Sequence, residues 1–324
     1  MNLPEEKLQQ ATEVVNALRS ELSRMLVGQG DVVDHVLIGL LCNAHVLLEG
    51  VPGLGKTLLA KTLGKTFNGQ FKRIQFTPDL MPSDVVGHTF FDANSNQFVT
   101  RQGPVFAQLV LADEINRAPA KTQAALLEAM QEQQVTLEGT AIPLPRPFMV
   151  LATQNPVEQE GTYPLPEAQL DRFLLKIRVE YPELDHEVAL TRQVTERKSG
   201  ANLNVENVKT LVQPETIIAL QHCASHVTVD DRVMEYAVTI VRATRDTPGF
   251  SRGAGPRGSI ALVRAGRARA LMQGRAYVVP DDIKAVALPA LRHRVAIAAE
   301  AEIEGLSIDA LIASLLERVP APRN

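Results

Sequence analysis

Apolar residues fall at helical spacing from the start of the chain, where Leu8, Val14, Val15, Leu18, Leu22 and Leu26 predict a helix over residues 5–24. Val27-Gly28-Gln29-Gly30 breaks the chain before a second helix that ends near residue 43. The pattern then changes to short apolar runs with polar ends, at residues 46–49, 71–76, 108–114, 148–155 and 173–179. Continuous runs of this length mark strands buried on both faces. Helical segments separate them, at 58–63, at 120–132 with Ala124, Leu127 and Met130 on one face, and at 166–172. Five strands alternating with helices predict an α/β fold, a three-layer αβα unit around a mostly parallel five-stranded sheet.

Two further segments interrupt that rhythm. Thr89-Phe90-Phe91 and Gln97-Phe98-Val99-Thr100 flank a polar tip over 92–96, after a turn-rich stretch over 77–84. They read as a hairpin or, equally, as a surface loop with two buried phenylalanines. Val135-Thr136-Leu137 and residues 140–144 read as a second hairpin, with Pro143 and Pro145 confining its outer strand to an exposed edge. After Tyr181-Pro182-Glu183 the strand signal largely stops. Helices are expected at 185–197, 214–225, 230–245, 259–273, 281–294 and 307–318, several behind start signals at Pro214, Asp230, Pro280-Asp281-Asp282 and Ser307. The chain therefore divides into a core over 1–182 with two inserted hairpins and an all-helical domain over 183–324, which carries a glycine-rich loop over 246–258.

The chemistry gathers at the strand ends. Gly50-Val51-Pro52-Gly53-Leu54-Gly55-Lys56-Thr57 matches the phosphate-loop pattern G-x-x-x-x-G-K-[ST] at every required position, between a strand and a helix that opens with Leu58. Glycines turn successive backbone N–H groups toward one centre, and the helix dipole adds positive charge there. Residues 50–58 are the candidate nucleotide contacts. Lys56 reaches the β- and γ-phosphates of ATP, and the Thr57 hydroxyl holds Mg²⁺. The run 108–114 ends in Asp113 and Glu114, at the sheet edge where open α/β folds bind ligands. Asp113 is expected to hold Mg²⁺ through water, and Glu114 to orient and polarise the attacking water.

Composition narrows the setting. At 324 residues the chain is long enough for two cores, and 45% hydrophobic with 22% charged residues is a globular profile. A net charge of −4 gives no global attraction to nucleic acid or anionic membrane. Cys42 and Cys223 make no disulfide framework. No apolar run reaches the roughly 18 residues of a membrane span. The first residues lack the basic flank and apolar stretch of a signal peptide. A cytoplasmic location is expected.

Several other signals carry less. Gly28-x-Gly30 lacks a preceding strand and a third glycine, so it reads as a helix–helix turn, placed to close over a bound base from the side. Gly249-Phe250-Ser251-Arg252-Gly253 fits G-x-S-x-G without the strand and helix that a nucleophile elbow needs. His222 and His226 flank Cys223 at metal-ligand spacing, but no third ligand accompanies them, and they read as partly buried histidines. Arg264, Arg267, Arg269 and Arg275, read along one helix, have no aromatic partners and suit a solvated or interdomain face better than nucleic acid.

The phosphate loop, Leu111-Ala112-Asp113-Glu114-Ile115-Asn116-Arg117-Ala118 and Ala152-Thr153-Gln154-Asn155-Pro156 together resemble the AAA+ ATPases, and the run over 154–173 resembles the MoxR family within them. The resemblance extends over essentially the whole chain, helical lid included. It implies that Asn155 is the sensor that positions the attacking water and that Arg172 is an arginine finger offered to a neighbouring subunit. It implies that Arg257 is the lid arginine that senses the γ-phosphate. The family usually has Ser before that Pro-Arg pair and Ala after it, where this chain has Gly255 and Gly258. The two hairpins match the family's helix-2 and pre-sensor insertions. The family resemblance further implies a homo-oligomeric ring, a hexamer, with chaperone-like activity on a client protein. It also implies a von Willebrand factor A domain partner, often in metal insertion during enzyme maturation. A nucleic-acid-translocating motor and a chelatase-type subunit are the alternatives. The acidic balance and the lack of an appended nucleic-acid-binding domain weigh against the former.

Overall fold

The computed structural model describes residues 4–94, 96–156, 162–195 and 205–322. Two helices, α1 (Glu5–Met25) and α2 (Gly30–Leu41), precede strand β1 (Val46–Glu49), the phosphate loop and α3 (Lys56–Thr66). Strand β2 (Phe71–Gln75) leads through α4 (Pro82–Val86) into a hairpin, β3 (Gly87–Asp92) and β4 (Gln97–Gln102). Then come β5 (Leu109–Asp113), α5 (Ala120–Glu132), a second hairpin of β6 (Gln134–Leu137) and β7 (Thr140–Pro143), β8 (Met149–Gln154), α6 (Glu167–Leu170) and β9 (Leu175–Arg178).

The five long-range strands form one all-parallel sheet in the order β2-β5-β8-β1-β9. Side chains alternate between its faces, as the pleat requires. Val46, Leu48, Leu109, Leu111, Met149 and Leu151 point toward α1, α2 and α3. Leu47, Val110, Ala112, Val150 and Ala152 point the other way, into a cluster with Leu126, Leu127 and Met130 of α5. These are the three layers expected. Gly39 lets α2 lie close on β1, since a Cβ there would stand 2.4 Å from Val46 Cγ2.

Beyond β9 run α7 (Leu184–Thr195), α8 (Pro214–Ser225), α9 (Asp231–Asp246), β10 (Phe250–Arg252), α10 (Pro256–Met272), α11 (Pro280–Leu291), β11 (Ala296–Ile297), α12 (Ala299–Ile303) and α13 (Ile308–Arg318). The Asp230 and Ser307 side chains cap α9 and α13, accepting from Arg232 N and Ala310 N. The helical part is not sealed off from the sheet. One apolar cluster runs from α1 and α2 into α8, α10 and α11, so α1 lies at the junction of the two halves.

Some expectations change. The first hairpin forms, but Phe90, Phe91 and Phe98 are 42%, 52% and 76% exposed, so the alternative with buried phenylalanines is excluded. Phe91 and Phe98 belong to neither cluster and pack edge-on against each other. Ala124 is exposed although Leu127 and Met130 are buried, because the inward face of α5 is set by Thr122, Gln123 and Leu126. Gln123 is buried because its amide donates to Ile115 O, Ala118 O and Tyr163 O. β10 and β11 form a short antiparallel ribbon within the helical half, and α4 and α12 add single short helices. Arg275 lies past the end of α10 and clamps the buried Asp282 carboxylate at 2.6 and 2.7 Å. Residues 157–161 of the run that carries the family resemblance, and the last two positions of the expected helix 185–197, lie outside the described residues.

Just ahead of β1, the His45 ring joins two layers. Its Nε2–H donates to Met130 O at 3.1 Å, and its Nδ1 accepts from Val150 N at 3.0 Å. Burial pushes its pKa down to about 4. The folded protein holds the neutral ring, whereas the unfolded chain takes a proton at the ordinary histidine pKa. His45 therefore contributes stability above about pH 6.5 that is lost as pH falls toward 4. Urea unfolding at pH 7 and pH 5 should show His45→Gln losing about 2 kcal/mol less than wild type between the two. An equal loss in both proteins would show that His45 does not titrate with unfolding.

Candidate nucleotide site

The phosphate loop turns on two left-handed glycines, Gly53 at φ 88° and Gly55 at φ 79°, and α3 begins at Lys56 directly after them. A Cβ on Gly53 would meet nothing within 4 Å, so it is the backbone conformation that calls for glycine there. The first amides of α3 point out of the sheet edge with the positive end of the helix dipole. Lys56 Nζ donates to Gly50 O at 2.5 Å, which folds the side chain over its own loop. Burial pushes the ammonium below the ordinary lysine range, and the carboxylates of Asp113, Glu114 and Glu49 oppose that shift.

Parallel register brings the polar ends of three strands to this loop. Gln75 of β2 lies beside Asp113 of β5, and Ala112 beside Ala152 of β8. The next β8 residue, Thr153, is 1% exposed. Its hydroxyl donates to Asp113 Oδ1 at 2.6 Å and accepts from Glu114 N at 2.8 Å. Glu114 takes a left-handed backbone at φ 56°, which turns its side chain away from the strand direction. Gln75 Nε2 donates to Glu114 Oε2 at 2.8 Å, and Arg117 Nη1 reaches the same oxygen at 3.1 Å. Arg73, on the same side of β2 as Gln75, donates to Asp113 Oδ2 from Nη2 at 2.6 Å and from Nε at 3.0 Å.

Lys56, Thr57, Arg73, Asp113, Glu114 and Asn155 share one cavity of about 330 Å³. A second cavity of about 470 Å³ shares Gly53, Gly55, Thr57 and Leu58 with it and is walled by Met25, Leu26, Val27 and Gln29 on one side and by Leu190 and Val194 of α7 on the other. The 27–30 turn thus stands where a base would be enclosed. Gln29 Nε2 ties it to Leu54 O at 3.0 Å, and Gly28, at φ 79°, leaves room for His186, which a Cβ would approach to 2.7 Å. An apolar slot joined to an amide cradle fits a nucleotide. The Thr57 hydroxyl and the Asp113 carboxylate, which line one cavity, are the hard oxygen donors that Mg²⁺ prefers.

The arginines lie elsewhere. Neither Arg172 nor Arg257 lines either of these cavities; both line a third, of about 340 Å³, with Gln131, Asp171, Arg264 and Arg294. Arg172 Nη1 donates to Gln131 Oε1. The Asp171 carboxylate accepts from Arg294 Nε at 2.7 Å and from Arg257 Nη1 at 3.5 Å. Arg294 is buried and also donates to the carbonyls of Phe173 and Leu174 at 2.7 and 3.0 Å, so it braces the backbone on which Arg172 sits. Gly255 is the N-cap of α10, while Gly258 is buried where a Cβ would stand 3.2 Å from Leu291 Cδ2.

Sequence reasoning missed Arg73, Gln75, Thr153 and Arg294. Polar residues two apart on β2 were a signal for the first pair. The discounted motifs are otherwise engaged. Ser251 Oγ donates to Ile297 O at 2.9 Å within the ribbon. His222 and His226 are exposed rather than partly buried, with ring centroids 4.1 Å apart. Among the described residues no group of three or more His, Cys, Asp or Glu side chains is placed to hold a metal. Arg264 donates to Cys42 O, joining α10 to the end of α2, and Arg269 and Arg275 face Asp282.

Comparison with known proteins agrees with this geometry. Residues 45–175 match the family of ATPases associated with various cellular activities, and residues 242–315 match the AAA lid domain. The uncharacterized protein YeaC of Bacillus subtilis is 46% identical over 93% of this chain and 92% of its own length. The chaperone MoxR1 of Mycobacterium tuberculosis is 42% identical over 94% of this chain and 81% of its own. A crystal structure from Cytophaga hutchinsonii, of a protein assigned as an ATPase, superposes with a TM-score of 0.90 at 42% identity, covering 98% of each chain. With a phosphate loop, paired carboxylates and a helical lid in one continuous architecture, the chain belongs to the MoxR family of AAA+ ATPases.

Proposed function

We propose that this protein is a Mg²⁺-dependent ATP hydrolase that acts as a homo-oligomeric ring, a hexamer, and couples hydrolysis to remodelling or maturing a client protein. The observation that carries the reading is the division of the machinery between two faces. Cradle, carboxylates and Asn155 share one cavity, while Arg172 and Arg257 share another. Phosphoryl transfer consists mostly of positioning and charge stabilisation, so a site without its finger is incomplete. A second copy of the chain, placed head to tail, would supply Arg172 and Arg257 to the first copy's phosphates. The division of the chain into a core over 1–182 and a lid over 183–324 belongs to this reading.

Within one subunit, the loop amides and Lys56 hold the β- and γ-phosphates. Thr57 and Asp113 hold Mg²⁺, which supplies charge neutralisation on the transferred group when bound. Glu114 takes the proton side of the attacking water, and Asn155 fixes the water's position. The von Willebrand factor A domain partner, the role in metal insertion and the cytoplasmic setting remain part of the proposal. No described helix is long and apolar enough to cross a membrane. The two hairpins are the natural contact elements for a client, because each pairs only with itself and presents exposed side chains.

Nucleotide binding and steady-state turnover test the assignments together. Lys56→Ala should lose ATP binding, since the loop's own cation is gone. Glu114→Gln should bind ATP as wild type does and hydrolyse it about 10²-fold more slowly or worse. Equal turnover in Glu114→Gln and wild type would remove Glu114 from the chemistry. Replacing residues 137–142 by a short Gly/Ser turn should leave basal turnover within about twofold, because the hairpin contributes no lining residue to the phosphate cavity. A collapse of the basal rate in a folded, assembled variant would place the hairpin in the active site.

A further inference from the structure

Among the described residues two cations line the phosphate cavity, and the motif accounts for only Lys56. The other is Arg73 on β2, which lines the same cavity. Both carboxylate oxygens of Asp113 are occupied. Oδ1 takes the hydroxyl of Thr153 at 2.6 Å, and Oδ2 takes two guanidinium contacts at 2.6 and 3.0 Å. The two partners differ in freedom. Thr153 is buried in the sheet, whereas the Arg73 side chain is 47% exposed and its stem rises from an edge strand. Arg73 Nη2 is further held by Gln75 Oε1 at 2.6 Å, which makes the guanidinium a fitted part of the site.

We propose that Arg73 is the counter-cation of the Asp113 metal position: it holds Oδ2, and its positive charge opposes a Mg²⁺ ion held by the same carboxylate through water. The reason is electrostatic. A guanidinium and a divalent cation served by one carboxylate repel each other in a partly desolvated cavity. The contact leaves Asp113 paired with a cation of the chain itself. In return, Mg²⁺ binds more weakly than the same carboxylate would allow if it were unpaired. Arg73 is therefore a positioning residue that sets the metal requirement of the site. The inference rests on the ATPase reading above.

The test is titration of a fluorescent ATP analogue against the full-length protein, over a series of Mg²⁺ concentrations and in EDTA. Wild type is compared with Arg73→Met and Arg73→Lys. The exposed position makes folding of both variants expected, and a thermal melt checks it. The half-saturating Mg²⁺ concentration should fall at least threefold in Arg73→Met. Arg73→Lys, with one point charge in place of the planar fork, should fall between the two. An unchanged or higher Mg²⁺ requirement in Arg73→Met would overturn the proposal. So would loss of analogue binding that is equal with Mg²⁺ and with EDTA, because Arg73 would then be a phosphate ligand. A wild type that binds no nucleotide at all removes the ATPase reading, and this inference with it. A wild type that binds normally beside an unshifted Arg73→Met removes only the inference.

Discussion

The bridge that the Thr153 hydroxyl makes between Asp113 and Glu114 sets the geometry on which the site depends. It crosses from β8 to β5 at the point where β5 leaves the sheet. It accepts from the first backbone amide past the strand and donates to the last carboxylate on it. With both groups fixed, the left-handed turn at Glu114 sends the second carboxylate in a different direction from the first. Two neighbouring acids can then take different work, one toward the metal and one toward water. All-parallel topology makes this possible, since it brings the ends of β1, β2, β5 and β8 to one edge. The helix that starts at Lys56 closes the same edge with its positive end.

The same edge explains what was legible in the sequence and what was not. The loop over 50–57, the pair Asp113 and Glu114, and the five apolar runs could be read because each is local. A continuous apolar run reports burial on both faces, and the phosphate-loop spacing reports a backbone conformation. Arg73 and Gln75 lie about forty positions before the carboxylates they touch. Their role exists only once β2 is known to lie beside β5. Thr153 likewise needed the β5–β8 register. The α5 face was misjudged at Ala124 because a buried glutamine, whose Nε2 donates to three carbonyls, took a place that polarity alone would put outside. The phenylalanines of the first hairpin left two readings open, because aromaticity alone does not tell a buried pair from an exposed one.

The arginines required the most tertiary information. Resemblance placed Arg172 and Arg257 in the reaction, and the structure puts them in one cavity away from the phosphate loop. What joins them is Asp171, whose carboxylate meets Arg257 from α10 and the buried Arg294 just past α11. Burial lowers the Arg294 pKa, and the Asp171 charge opposes that shift and holds the cation in place. The helical half is thereby pinned to the segment that carries Arg172.

The central claim is that a complete site needs groups from two copies of the chain, and subunit mixing tests it most directly. Arg172→Ala retains its own pocket and lacks the finger, whereas Lys56→Ala lacks a working pocket and retains the finger. Each alone should turn over very slowly, since an arginine finger in trans contributes about 10³–10⁵ in rate. In a randomly mixed head-to-tail ring, about a quarter of interfaces join an intact pocket to an intact finger. The account predicts that an equal mixture recovers activity, up to that share of the wild-type rate. Near wild-type turnover by Arg172→Ala alone, or rings that exchange subunits and stay inactive, would contradict it.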